Sequence, residues 1–220
     1  MSSPGRALVL AKAPVPGRVK TRLAATVGDE VAASLAAAAL LDTLAVCAAA
    51  FAECHLALDG DLGEAVRADS LRAATSGWHL FAQSTGDLGA RLAHAHQTVA
   101  RTGDGAVVQV GMDTPPLTTH LLRAVADRTV AGTAVLGPAA DGGWWVLGLA
   151  DASGARALVD VPMSRPDTGD ATRAALVGAG LRVQPAATLR DVDTAEDAAA
   201  VAVAAPHTRF AAAWRQVVAA

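Results

Sequence analysis

Short apolar runs alternate along this chain with longer segments of helical composition, and Gly, Pro and Asp punctuate the joins. The runs ALVLA (7–11), CHLALD (54–59), HLFAQ (79–83), TAVLGPA (133–139), WWVLGLA (144–150) and LRVQPAATL (181–189) read as strands. AVVQVGMD (106–113) joins them as a nearly continuous apolar run, the pattern of a strand buried on both faces. Between them, Ala and Leu favour a long helix over 28–52. Further helices are predicted near 61–74, over 86–101 and 118–129, near 168–180, and over 194–204 and 207–219. Strand–helix alternation of this kind predicts an α/β fold, a parallel or mixed sheet with helices on both faces. Nothing along 1–220 reads as a repeat or a linker, so one domain is expected. Ligands of such sheets gather at the carboxyl ends of the strands. That rule selects residues 12–22, 83–91, 111–117, 138–145 and 190–194.

Composition narrows the classes. With 220 residues, 52% hydrophobic and 18% charged, the chain suits a globular domain rather than a disordered one. A net charge of −3 without a long basic run argues against nucleic acid as partner. Cys47 and Cys54 form neither a disulfide framework nor a metal-type spacing, which suits a reducing cytoplasm. The first apolar run is too short for a secretory signal. Residues 31–52 are long enough to span a bilayer, but they are mostly Ala with Asp42 at the middle. A soluble helix and no membrane span are expected.

The candidate chemistry begins with lysine. Lys12 and Lys20 are the only two in the chain, and both sit in one loop with Arg18 and Arg22. Pro14, Pro16 and Gly17 restrict that loop. An ammonium suits phosphate as a point charge, and a guanidinium grips phosphate oxygens in pairs. The loop lacks the glycines of a P-loop, and no G-x-G-x-x-G occurs in it. Asp113, directly after a buried strand, either holds a hard cation such as Mg²⁺ or Mn²⁺ or caps the turn before the helix at 118. Asp191 and Asp193 alternate along an extended stretch, so one is expected to point inward and the other into solvent. Thr194 and Asp197 read as a capping box, which leaves Asp193 as a second metal carboxylate.

Asp141, Gly142 and Gly143 precede Trp144 and Trp145 in a hairpin signal that also suits the lining of a pocket. Gln83 offers an amide to a nucleobase edge, and Gly86 and Gly89 allow close backbone approach. The same residues also read as an ordinary helix start with Asp87 in the first turn. His94 and His96 lie two apart on a helix and so face different ways, which argues against a metal pair. No G-x-S-x-G or Cys–His arrangement suggests nucleophilic catalysis.

In order, K-x-P-x-P-G-x-V-K-T-R-L (12–23), Q-x-x-G-D-L-G-x-R (83–91), G-x-D-x-P-x-L (111–117), G-P-x-x-D-G-G (137–143) and D-V-D-T-x-E-D (191–197) form a set. The set resembles the bacterial GT-A-fold, glycosyltransferase-like proteins related to phospholactate guanylyltransferase and to molybdopterin-cofactor nucleotidyltransferases. The likeness runs from about residue 7 to 200. It implies a GT-A fold, a three-layer α/β/α sandwich with a mostly parallel mixed sheet, and divalent-metal-dependent transfer from an activated nucleotide. Carried onto this chain, Lys20 and Arg22 would hold phosphates with Lys12 helping, in a loop shaped by Pro14 and Gly17. Gln83, Leu88 and Gly89 would lie near the base. Asp113 and Asp193 would hold Mg²⁺ or Mn²⁺, and Asp141, Gly142, Gly143, Trp144 and Trp145 would face the acceptor. Lys20, Arg22 and Asp113 would carry the catalysis.

Two departures concern the acceptor side: VPMSRPDTGD (161–170) lacks the usual aromatic–Ser–Thr, and two tryptophans stand where Tyr or Phe is common. Nucleotidyl transfer from a nucleoside triphosphate to a small anionic acceptor is the leading expectation. A GT-A glycosyltransferase using a nucleoside diphosphate sugar is the alternative, weighed against by MDT (112–114), which lacks the second Asp of D-x-D. A non-catalytic nucleotide-binding module is the third. The helix at 207–219 places Phe210, Trp214 and Val217–Val218 roughly on one face, expected to pack on the domain or on a second subunit as a homodimer.

Overall fold

The structure, a computed structural model, describes residues 5–219. Its strands are β1 (Arg6–Lys12), β2 (Glu53–Asp59), β3 (His79–Ala82), β4 (Val107–Val110), β5 (Thr133–Pro138), β6 (Trp144–Leu149) and β7 (Arg182–Pro185). They form one sheet in the order β3-β2-β1-β4-β6-β5-β7. β6 runs antiparallel to β4 and β5, and the other pairings are parallel. The expected mixed, mostly parallel sheet is observed.

The helices are α1 (Thr21–Val27), α2 (Asp29–Ala50), α3 (Ala68–Ala74), α4 (Leu88–Ala100), α5 (Thr119–Arg128), a 3₁₀ helix (Ala152–Leu158), α6 (Thr168–Gly178), α7 (Ala195–Ala204) and α8 (Arg209–Val218). Side chains alternate across a strand, so β1 feeds two cores. Val9 and Ala11 pack with Leu40, Leu44 and Leu122 beneath α2 and α5. Leu8 and Leu10 pack with Leu92, Leu158 and Leu176 beneath α4, the 3₁₀ helix and α6. A third cluster joins Leu23 and Leu35 to Val201, Phe210 and Trp214, so α8 sits on the outer face of α2 and α7 packs on α8 and α1. By length and composition α2 would suffice to cross a membrane, but it is largely buried within the molecule, between the sheet and α8.

Several boundaries differ from those expected. The predicted helix over 28–52 is α2, and Gly28, at φ 85°, separates it from a further helix, α1. The basic loop therefore ends at Lys20, and Arg22 rides on a helix. The helix near 61–74 contracts to α3. Asp61 turns the chain instead, its carboxylate accepting from Gly63 N and its carbonyl from Glu64 N. β4 stops at Val110, which leaves Asp113 on a loop rather than a strand. β7 stops at Pro185, and only an isolated bridge between Ala139 and Leu189 continues its line.

Because β6 is antiparallel, its amino end meets the carboxyl ends of β1 and β4 at one edge, with Val110 opposite Val146. The turn before β6 therefore lies beside the loops after β1 and β4. Val192 N donates to Asp113 O at 2.9 Å, which brings the segment before α7 to the same edge.

Candidate active site

Lys20 closes the basic loop in the left-handed conformation, φ 48° and ψ 45°, which few residues other than Gly adopt. Its ammonium lies 2.5 Å from Asp113 Oδ2 and 2.8 Å from Asp193 Oδ1. Burial opposes the charge, yet the Asp113 and Asp193 carboxylates outweigh it and hold the lysine above its ordinary pKa. Arg22 reaches Asp193 at 3.5 Å from an exposed position. Arg18 pairs with Glu64 in solvent. Lys12, Arg18, Lys20, Arg22 and Asp193 line a cavity of about 270 Å³. Pro14 and Gly17 shape its approach: Pro14 O accepts from Val66 N, and Gly17 turns at φ 74°.

Asp113 does not cap α5, because Thr118 does, accepting from Leu121 N. Its carboxylate instead meets those of Asp191 and Asp193, with one oxygen from each within 4.8 Å of the others. The expectation that only one of Asp191 and Asp193 faces inward fails. Residues two apart in extended chain share a face, and it is the intervening Val192 that is buried among α1, α2, α7 and α8 residues. Burial, then the Asp113 and Asp141 carboxylates, push Asp191 up to about 7. The predicted capping box of Thr194 and Asp197 is present and fixes the start of α7 just beyond.

A larger cavity of about 480 Å³ opens beside the three carboxylates. Asp141 and Gly143 line it, with the Asp141 carboxylate accepting from Gly143 N at 2.8 Å. Trp144 forms part of its wall, held by a hydrogen bond from Nε1 to Thr172 Oγ1. Trp145 does not face it. Neighbours on a strand point to opposite sides, and Trp145 is buried in the other core with Nε1 donating to Ala187 O. Gly142 serves a close approach of backbone to backbone, since a Cβ there would stand 1.8 Å from Pro166 O. Gly169 N donates to Gly142 O and ties the turn to the amino end of α6.

A third cavity, about 210 Å³, is lined by Leu10, Lys12, Asp59, Gln83, Leu88 and Arg91. Here Gln83 is already engaged: Nε2 donates to Ala11 O and Ala57 O, and Oε1 accepts from Arg91. Gly89 gives room to the carbonyl of Leu158, 2.2 Å from a Cβ built there, rather than to a ligand. Asp87 is the N-cap of α4, accepting from Ala90 N. The sequence points to Asp193 rather than Asp191 as the second metal carboxylate and gives no ligand role to His96, and Gln109 does not figure among its candidates. Gln109 lines the larger cavity, and its signal was present as the one polar residue of VVQV.

Residues 40–165 match the model of a family described as "Uncharacterized protein conserved in bacteria (DUF2064)", and the chain belongs to that family. The matched span includes Asp113 and the turn at 141–143. No curated protein matches the chain. Among solved structures, a provisionally assigned nucleotide-diphospho-sugar transferase from Desulfovibrio desulfuricans G20 is 27% identical, with TM-score 0.85, covering 100% of this chain and 96% of its own. A nucleotidyl transferase from Methanothermobacter is 18% identical, with TM-score 0.59, covering 91% and 96%. Rv0371c of Mycobacterium tuberculosis H37Rv, in complex with manganese, is 23% identical, with TM-score 0.54, covering 90% and 98%. The fold is that of the nucleotide-diphospho-sugar transferases, as the sequence resemblance implied.

Proposed function

We propose that this protein is a divalent-metal-dependent transferase of activated nucleotides, and that it moves a nucleotidyl group from a nucleoside triphosphate to a small anionic acceptor. The observation that carries this reading is the convergence of Asp113, Asp191 and Asp193 beside Lys20 and Arg22 at the carboxyl edge of the sheet. Three carboxylates offer hard oxygen donors within 4.8 Å of one another, and burial together with the neighbouring Asp113 and Asp141 carboxylates raises Asp191. That donor set fits Mg²⁺ or Mn²⁺. When bound, such an ion supplies charge neutralisation on phosphate oxygens.

The chain's own cations do the rest. Lys12, Lys20 and Arg22 border one cavity and would offset the charge of a triphosphate. An acceptor oxygen forms a bond to the α-phosphorus while the bond to the bridging oxygen breaks, and pyrophosphate leaves. An acceptor that is already ionised needs no proton removed, consistent with a site that has no histidine among its lining residues. Such an enzyme works where nucleotides are made, in the cytoplasm, and Cys47 and Cys54 are buried free thiols.

Glycosyl transfer from a nucleoside diphosphate sugar is the second reading. It is favoured by the D. desulfuricans likeness and by Asp191-Val192-Asp193, which places a D-x-D at the site from a different loop than MDT. Titration calorimetry with the four nucleoside triphosphates and several nucleotide-sugars, with and without Mn²⁺, tests both. Mn²⁺-dependent triphosphate binding, with pyrophosphate released on turnover, supports nucleotidyl transfer. Nucleoside diphosphate release from a nucleotide-sugar supports the second reading, and silence toward every nucleotide defeats both.

A further inference from the structure

Gln109 lies in the middle of the sheet, on β4, is 3% exposed and lines the larger cavity. No step proposed above uses it. Its Oε1 is buried without a hydrogen-bond partner. His96, on α4, is wholly buried, and neither ring nitrogen is paired. Burial lowers the imidazole to about 4, so it is neutral at physiological pH. The amide lies near enough to favour the protonated ring slightly, yet their geometry falls short of a hydrogen bond. Gln109 thus brings an unpaired buried oxygen to the cavity lining, and the two unpaired nitrogens of His96 lie in the protein interior. Folded proteins rarely leave such atoms unsatisfied unless a water or a ligand completes them.

A neutral imidazole and a primary amide each carry a donor and an acceptor. One end of the Gln109 amide can therefore serve His96 while the other serves the cavity, and which end is which depends on the amide's orientation. A hydroxyl satisfies either orientation, because it both donates and accepts. The neutral amide offers an anion no opposite charge, and Arg22 and Arg165 line the same cavity as partners for any phosphate the ligand carries. The lining is mixed: Leu10, Leu92, Met163 and the Trp144 indole supply apolar surface, and Ser164, Arg165 and Thr168 supply polar groups. The hydrogen bond to Thr172 fixes the indole. A compact ring with carbon faces and hydroxyl edges matches that lining.

We propose that Gln109 is a specificity-determining residue that reads a ring hydroxyl of a pyranose sugar bound in the larger cavity. The proposal rests on the nucleotide-dependent transfer reading, and deepens it by giving the second substrate a chemical class. The pyranose is either the sugar of a nucleotide-sugar or a sugar phosphate that accepts the nucleotidyl group.

Calorimetry in Mn²⁺ tests this on the wild type, Gln109→Leu and Gln109→Met. The probes are UDP-glucose, GDP-mannose, glucose 1-phosphate and mannose 1-phosphate, with deoxy analogues of whichever bind, and UDP and GDP as sugar-free controls. In the wild type, loss of one particular hydroxyl is expected to weaken binding about tenfold or more. In both variants the parent sugar should bind about tenfold more weakly, that deoxy analogue should lose nothing further, and the sugar-free controls should be unchanged. Response to the nucleotide-sugars or to the sugar phosphates identifies the source of the pyranose. Both variants should melt at or above the wild-type temperature, since an unpaired buried amide gives way to an apolar side chain.

Wild-type indifference to every hydroxyl, or an equal deoxy penalty in the variants, overturns the proposal and leaves the amide to water. Nucleotide binding with no pyranose bound overturns it while sparing the nucleotide reading. Gln109-dependent sugar phosphate binding without any nucleotide binding removes the nucleotide reading and the substrate role given to the pyranose, and leaves standing only the recognition of its hydroxyl by Gln109.

Discussion

Asp42 and Asp113 are both carboxylates drawn in from solvent, and their surroundings could hardly differ more. Asp42 lies midway along α2 and accepts from Arg209 N at 3.1 Å, Arg209 Nη1 at 3.2 Å and Phe210 N at 2.9 Å. It completes the amino end of α8, where backbone N–H groups lack helical partners, so donors match its charge. The residue that argued against a membrane span is thus the peg that seats α8 on α2. Asp113 meets two further carboxylates and shares one lysine with Asp193. A matched buried charge belongs to the architecture. A surplus gathered at the ligand edge of an α/β sheet is what the proposed metal-dependent transfer requires.

Asp113→Asn should separate these roles most sharply. If Asp113 holds the metal as proposed, its loss is expected to remove several kcal/mol of transition-state stabilisation, or about a thousandfold in turnover, with the melting temperature almost unchanged. Asp42→Ala should do the reverse. Unpairing the first N–H groups of α8 and Arg209 is expected to cost about 3 kcal/mol of stability by denaturant titration, while Mn²⁺ affinity stays at the wild-type value. If Asp42→Ala also weakened Mn²⁺ binding, the division between the two carboxylates would collapse.

Lys20→Met sharpens the contrast from the other side. The metal-free protein should lose about 2 kcal/mol, because three carboxylates crowd without a cation. Saturating Mn²⁺ should restore the melting temperature, and triphosphate affinity should fall. A smaller effect tests the neutral member of the set, His96. Its folded pKa of about 4 lies below the unfolded value near 6.5, so between those values the unfolded chain binds a proton that the native one refuses. Stability from this group is therefore complete above about pH 6.5 and drains away as pH falls toward 4. His96→Leu should flatten that part of the stability–pH curve by about 1 kcal/mol per pH unit, as melts at stepped pH would show.

Much of the fold could be read directly from local pattern. The alternation of strands and helices, the buried character of 106–113, the hairpin before β6 and the Thr194–Asp197 cap all follow from neighbours a few residues apart. Short-range sterics and hydrogen bonds decide such features, and a window of sequence contains both partners. The candidate site was readable only as a collection of suspects. Trp145 and Trp144 were grouped together, although strand alternation sends them into different cores. Asp191 and Asp193 were expected to divide, although two-residue spacing keeps them together.

Tertiary structure alone decided the rest. Lys20 meets partners 93 and 173 residues away, and its left-handed backbone is tied to a side chain that those partners anchor. Gln83 spends its amide on the ends of β1 and β2, and Gly89 and Gly142 answer to carbonyls on the 3₁₀ helix and on the loop before α6. None of those partners can be named before the sheet is assembled. Sequence by itself supplied the charges, the glycines and the order of the elements. Strand order and packing chose which charges face one another, because Coulomb forces and close packing act over ångströms of space, whatever the distance along the chain.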